Sequence, residues 1–177
     1  SLSVACQPAE MAPAPSYLDP YKPALLDWSS EDEAAWAALP RYSITAELDL
    51  ENMVVTGTER VQFVNRSAGD MNEICFRLYP NLDLHGARMI VTSVTAKGLT
   101  LDFEGDANST AIVIPCDPPL QAGQIAILDL TFNVTVPDKD DGWTLFGRSE
   151  GIVSLPDFYP VLAVYDAKGW HREIGPA

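Results

Sequence analysis

The chain has 177 residues, 47% of them hydrophobic, which is the composition of a folded globular domain rather than of a disordered chain. Eleven basic against 25 acidic residues give a formal net charge of −14. A surface that acidic repels phosphate backbones and anionic lipids, so nucleic-acid and peripheral membrane binding are not expected. No apolar run approaches the roughly 20 residues that a membrane-spanning helix needs.

The first 28 residues are predicted to form an extended tail, because prolines recur through them from Pro8 to Pro23. Small residues precede Cys6, as they do at a bacterial lipoprotein cleavage site, but no charged and apolar leader stands before them in this sequence. Two explanations stay open, a lipid anchor at Cys6 and an ordinary cysteine in the tail.

Residues 29–40 are predicted to form one short helix. Ser30 and Glu33 have the spacing of a capping box. The three consecutive acidic residues that end at Glu33 complement the positive end of the helix dipole. An alanine-rich stretch with Trp36 follows, and Pro40 is a plausible stop.

From residue 41 the hydrophobic period changes to two, which is typical of strands with one buried and one wet face. Gly57, inside one of these strands, suggests a bulge or a close backbone approach. Turn residues separate the strands and no helical segment lies between them, so residues 41–177 are predicted to form an all-β, antiparallel domain, either a sandwich or an open barrel-like saddle. The predicted strands are Tyr42–Leu50, Val54–Val64, Ile74–Leu78, Met89–Ala96, Leu99–Phe103, Ala111–Pro115 and Ile125–Val136.

The sequence offers little catalytic chemistry. The two histidines, His85 and His171, are followed by glycine and arginine, so the zinc motif H-E-x-x-H cannot occur here. No serine-hydrolase or phosphate-binding pattern occurs, and the donors for a zinc site are lacking. We therefore predict no catalytic, cofactor-binding or metal-binding residue in this chain. Cys75 and Cys116 are read either as a disulfide or as two small buried hydrophobic residues.

The stretch from Gly151 to Trp170 is apolar and aromatic, and the chain ends soon afterwards at Ala177. Following a complete sandwich, such a stretch is expected to lack partner surface within its own domain. Leaving several large aromatic side chains exposed would favour association, so docking on a following domain is expected and the chain looks cut from a larger protein.

Four stretches of the sequence resemble the amino-terminal domain of the membrane alanyl aminopeptidase family of zinc metallopeptidases (gluzincins, peptidase family M-one). They occur in the family's order and spacing over roughly residues 41–171. They are Tyr42–Leu50, Val55–Ser67 with its central glycine, Ile74–Asn81 with its L-Y-P-N sequence, and Phe158–Trp170 with its Y-P-V-L-A-V-Y-D sequence.

The resemblance implies an antiparallel, saddle-shaped β-sandwich domain that covers one side of a thermolysin-like catalytic domain. In the family, zinc and the general-base glutamate belong to that catalytic domain, which is absent from this chain. In the family, the amino-terminal domain contributes substrate contacts from the segment that precedes and includes the F-P or Y-P step. By analogy Glu150, Phe158 and Tyr159 are the candidates here, although the family's polar position falls at Gly151. Packing at a domain interface is the alternative role for Phe158 and Tyr159.

The function expected from the resemblance is the non-catalytic amino-terminal domain of a zinc aminopeptidase that acts outside the cytoplasm, secreted or lipid-anchored. Its expected partners are its own catalytic domain and, in the complete protein, peptide substrates. Two alternatives stay open. One is a stand-alone cell-surface binding or adhesion sandwich, and the other is a scaffold relative that has lost its zinc ligands.

Overall fold

A computed structural model of the chain describes residues 39–82, 86–106, 108–138 and 145–172. The predictions for the proline-rich tail, for nearly all of the 29–40 helix, for Cys6 and for His85 lie outside the described residues. No helix within these ranges is long and apolar enough to cross a membrane.

The described residues form two principal antiparallel sheets. The larger has five strands in the order β1-β2-β8-β4-β5, and the smaller has four in the order β11-β3-β7-β6. Two hairpins, β9-β10 and β12-β13, stand beside them. The longer strands are β1 (Arg41–Asp49), β2 (Val54–Val64), β3 (Met71–Arg77), β4 (Arg88–Ala96), β7 (Ala111–Leu120) and β8 (Ile125–Thr135). The shorter strands are β5 (Leu99–Thr100), β6 (Glu104–Gly105), β9 (Gly147–Ser149), β10 (Ile152–Ser154), β11 (Val161–Leu162), β12 (Tyr165–Asp166) and β13 (Gly169–Trp170).

The core lies between the two principal sheets. Val61 and Phe132 come from the five-stranded sheet and Ile74, Phe76 and Ile114 from the four-stranded one, and all are buried in a single apolar cluster. Two sheets that bury their inner faces against each other make a sandwich. The predicted all-β antiparallel fold is confirmed.

Strand β1 departs from its predicted burial. Alternation predicts that Tyr42, Ile44, Ala46, Leu48 and Leu50 form a buried face. In the structure Ala46 is exposed, Leu50 is 56% exposed in the turn after the strand, and the other three are half-buried. In the described part of the chain β1 pairs on one side only, with β2. The alternation of apolar and polar residues shows which side of a strand faces inward. It does not show whether another layer of the structure covers that side.

Gly57 accommodates an aromatic ring. The register runs through it without a shift, opposite Ala46 on one side and Phe132 on the other. A Cβ at this position would lie 2.4 Å from the Phe132 ring, far inside van der Waals contact. The close approach predicted at Gly57 is therefore made by the Phe132 side chain, and the strand has no bulge there.

Two buried asparagines replace missing backbone partners at the ends of strands. The Asn65 amide nitrogen donates to the carbonyls of Gly69 (2.9 Å) and Leu120 (2.8 Å). The amide nitrogen of Asn81 donates to the Met89 carbonyl at 2.9 Å, and its Oδ1 accepts from the Met89 backbone N–H. Satisfying buried polar groups in this way fixes the loops between strands.

The cysteines behave as small core residues. Cys75 and Cys116 are buried and neither is in a disulfide. Burial raises the pKa of Cys75 to about 11, so its thiol is neutral and unreactive at physiological pH. Of the two sequence-based alternatives, the buried hydrophobic residues are correct.

Candidate functional site

The sequence-predicted site residues all lie in the C-terminal segment, residues 145–172. This segment begins with the β9-β10 hairpin and continues without regular structure to β11. Strand β11 then joins the edge of the four-stranded sheet by pairing with β3, Val161 opposite Arg77 and Leu162 opposite Phe76. The β12-β13 hairpin follows. The segment thus covers one end of the sandwich with short pieces.

Glu150 lies at the tip of the β9-β10 hairpin. Ser149 and Ile152 pair across the turn, so Glu150 and Gly151 form a two-residue loop. Both have positive φ, 50° and 81°, as the primed hairpin turns require. The Glu150 side chain is exposed at this tip.

Phe158 and Tyr159 lie together against the core. The Tyr159 ring stands edge-on to Phe158 and to Tyr42, with ring centroids 5.6 Å apart in both pairs. The Phe158 ring is tilted against the buried Phe132 at 6.5 Å. Glu150 lies in the turn of the β9-β10 hairpin, and no ring contact or hydrogen bond among the described residues joins it to this pair. The structure therefore brings two of the three candidates together.

Part of this segment finds partner surface within the sandwich itself, whereas docking on a following domain stays a prediction. Phe158, Tyr159, Leu162 and Trp170 all pack against the main core cluster of the sandwich. The large apolar side chains that stay open in the segment include Ile152 at 72% and Val164 at 60% exposure. Alternation in the long strands gave no sign that these aromatic residues would close one end of the sandwich.

A tyrosine hydroxyl links the two principal sheets beside this pair. The Leu162 backbone N–H in β11 donates to the Tyr42 hydroxyl of β1 at 3.1 Å. Burial raises the pKa of Tyr42 to about 12, and the nearby charge of Glu59 contributes to the shift, so the hydroxyl keeps its proton. The edge of one sheet is thereby tied to the edge of the other.

Glu59 is the polar residue that sequence reasoning missed. It points inward from β2 on the same face as Val55, Val61 and Phe63. Its side chain is 2% exposed, and neither carboxyl oxygen has a hydrogen-bond partner within the described ranges. Burial raises the pKa of Glu59 to about 8. The alternation that placed Val61 inward would have placed Glu59 there too, but among 25 acidic residues it passed as a surface charge.

The end of the segment is held by polar contacts to β3. The Trp170 indole Nε1 donates to the Glu73 carbonyl at 2.9 Å, and Arg172 forms an ion pair with the Glu73 carboxylate. His171 Nε2 lies 2.7 Å from an Asp166 carboxylate oxygen.

A surface cavity of about 700 Å³ lies beside the β12-β13 hairpin. Its lining includes the apolar side chains Phe63, Met71 and Trp170 and the charged residues Arg66 and Asp166.

No group of three histidine, cysteine, aspartate or glutamate side chains within the described residues could hold a metal ion. The imidazole of His171, the described histidine, pairs with the Asp166 carboxylate. The side chains of residues 39–82, 86–106, 108–138 and 145–172 do not supply the ligands of a zinc site.

Comparison with known proteins shows a likeness of fold. No family model and no curated protein sequence matches this chain. A point mutant of the M1 zinc metallopeptidase from Deinococcus radiodurans matches with a TM-score of 0.50 and 15% identity, over 68% of this chain and 27% of that one. The mutant bound to a Tyr-Ser-Ala substrate matches with a TM-score of 0.49 and 15% identity, over 68% and 28% of the two chains.

The chain thus spans little more than a quarter of the length of these structures. At 15% identity the likeness establishes the fold and not the activity. The resemblance found in the sequence is confirmed at that level, and the chain has the β-sandwich fold of one part of an M1 zinc metallopeptidase.

Proposed function

We propose that this chain is the amino-terminal domain of a zinc-dependent aminopeptidase of the M1 family and has no catalytic residue of its own. The observation that carries the proposal is the fold likeness to part of an M1 metallopeptidase, combined with four family-like stretches in the same order. Gly57, Asn65 and Asn81, which lie in those stretches, hold the sandwich together. Residues that build a fold are those that fold relatives are expected to share.

In the complete enzyme this domain would pack on a catalytic domain and line part of the peptide cleft. Zinc, held by that other domain, would polarise the scissile carbonyl and activate water. From this chain, the exposed Glu150 tip offers a negative charge to the free amino group of a peptide. The half-buried Tyr159 offers a ring and a hydroxyl held in place by Tyr42 and Phe158. An extracytoplasmic location, with or without a lipid on Cys6, belongs to the same proposal.

The test compares this chain with the full product of the reading frame that contains it. Bound zinc is measured by elemental analysis and activity with aminoacyl chromogenic substrates. We expect zinc and hydrolysis in the longer protein and neither in the 177-residue chain. A longer protein without zinc and without activity would contradict the proposal and leave a surface-binding sandwich or a scaffold relative. A frame that encodes no further domain would favour the surface-binding sandwich.

The cleft assignment has its own test in the active longer protein. Glu150→Gln removes a charge that would pair with the substrate amino group, and we expect KM to rise roughly tenfold with little change in kcat. Glu51→Gln is the matched control, because Glu51 is an exposed acid in the turn between β1 and β2. Equal kinetics in the two variants would remove Glu150 from the cleft without affecting the zinc assignment.

A further inference from the structure

The buried carboxyl of Glu59 lies between the two principal sheets without a partner. Its neighbours in register are Ile44 of β1 and Leu130 of β8, both apolar. The side chain is 2% exposed and both oxygens lack hydrogen bonds within the described residues. Burying an ionised carboxylate without a partner costs far more than burying a neutral one. The closed domain therefore favours the protonated form of Glu59.

Two phenols are the titratable groups that interact with Glu59. Tyr42 of β1 lies diagonally across the ladder from it, because Tyr42 pairs with Val61. Tyr159 approaches from the segment before β11. Burial is the main reason that the pKa of each phenol is raised, and the charge of Glu59 contributes to both shifts. Burial alone accounts for the shift at Glu59, so no basic group in the described part of the chain compensates for it.

The segment beside this carboxyl, residues 158–162, is held by few ladder bonds and by ring contacts. Strand β11 has two residues and pairs only with β3 in the described sheet. Phe158 and Tyr159 are half-buried and are held mainly by ring contacts. Local opening is easiest where few apolar contacts and few ladder bonds hold a segment. An opening of residues 158–162 would bring water to Glu59 and break the bond between Tyr42 and Leu162.

We propose that Glu59 is a proton-operated latch: its neutral carboxyl lets β1 and residues 158–162 close on each other, and its ionisation releases the Tyr42–Leu162 bond between the sheets. The proposal concerns this chain alone and does not depend on the aminopeptidase assignment.

The direction of the pH effect follows from linkage. In the closed domain the pKa of Glu59 is raised by burial to about 8, whereas in an opened segment the carboxyl returns towards its ordinary value of 4.5. Between these pH values, opening releases a proton and is favoured as the pH rises. The equilibrium constant for opening should increase by up to about tenfold per pH unit and level off above about pH 8.

Hydrogen exchange at the Leu162 amide measures this opening directly. Exchange rates are recorded by NMR across the pH range between the two pKa values and divided by the intrinsic rate at each pH. We expect the opening constant of Leu162 to rise towards about tenfold per pH unit. The reference is the Leu101 amide, which bonds to the Val94 carbonyl beyond the opposite edge of the five-stranded sheet, and its opening constant should stay flat.

The variant Glu59→Gln should abolish the rise at Leu162, because the amide cannot ionise. Glu47→Gln, an exposed acid on β1, should keep it. The latch is overturned if wild-type Leu162 shows no rise, if Glu59→Gln keeps the rise, or if Leu101 shares it, since Glu59 would then act only through global unfolding. Should Glu59→Gln fail to fold, the carboxyl-carbon NMR titration of Glu59 in the unmodified chain decides. A raised midpoint with loss of Leu162 protection over the same pH range would support the latch. A midpoint near the ordinary glutamate value, or a raised one at which Leu162 protection stays constant, would overturn it.

Discussion

The central strands and the C-terminal segment cover the same core by different means. Strands β2 and β8 have 11 residues each and pair without a shift from Val54–Thr135 to Val64–Ile125. The strands of residues 145–172 have two or three residues each, and aromatic side chains close that end of the sandwich. A long ladder holds its side chains by periodicity, whereas the segment depends on individual contacts. The β2–β8 ladder should therefore tolerate substitutions on its surface and be destabilised by substitutions in the core. Residues 145–172 should be the part that opens first.

The largest expected effect comes from the one place where the central ladder buries an acid. Burial raises the pKa of Glu59 to about 8, so above its ordinary value of 4.5 the unfolded chain releases a proton that the folded chain retains. The free energy of unfolding should therefore fall by about 2 kcal/mol between pH 6 and 8, and then level off. Urea denaturation at several pH values measures it.

The window above pH 6 separates Glu59 from ordinary carboxyl groups, which are already ionised there. In Glu59→Gln the fall should disappear, and this variant should exceed the wild type in stability at pH 9. If the free energy of unfolding of Glu59→Gln depends on pH as it does in the wild type, Glu59 does not retain a proton in the folded chain.

The second expected effect tests the fit of Phe132 over Gly57. Gly57→Ala places a methyl group 2.4 Å from the buried ring, and moving that ring should cost about 2 kcal/mol of unfolding free energy. The matched control is Gly69→Ala, since a Cβ there meets no atom within 4 Å. Similar losses in both variants would mean that loss of glycine itself, and not the ring, matters. Thermal and urea unfolding give the comparison.

A smaller effect is expected in the C-terminal segment. Phe158→Ala removes a half-buried ring from its contact with Phe132, and should lower the free energy of unfolding by about 1–2 kcal/mol. Ile152→Ala, at a side chain that is 72% exposed, should change it by less than about 0.5 kcal/mol. If Phe158→Ala changes the free energy of unfolding as little as Ile152→Ala does, the C-terminal segment does not unfold cooperatively with the central strands. The two regions would then differ in stability as well as in construction.

Much of the fold could be predicted from the sequence because long strands obey a period of two. The bounds of β2 are those predicted, and β8 ends one residue earlier than predicted. The prediction ended β7 at Pro115, but the strand continues to Leu120 through two further prolines. A proline removes one donor, and whether the ladder continues depends on the partner strand. Short strands such as β11 carry too few residues for any period to show.

The candidate site could be predicted only in part. The aromatic pair Phe158 and Tyr159 was predicted through a family resemblance, but its packing on Tyr42 and Phe132 depends on ring contacts with strands β1 and β8, which are distant in the sequence. Glu59 was visible in the alternation and was overlooked, because acidic residues are so numerous here. Its lack of a partner is a property of the packed sandwich and could not be seen in the sequence.

Pro40 and Trp170 line the same surface cavity, although one precedes the first strand and the other ends the last. The polypeptide therefore enters and leaves the sandwich on one side. A short peptide across that cavity would close the chain into a ring, and the exposed Lys97–Gly98 turn between β4 and β5 would be a natural place to open it again. The sandwich has the geometry of a module that can be inserted into another protein, or circularly permuted, without rerouting a strand.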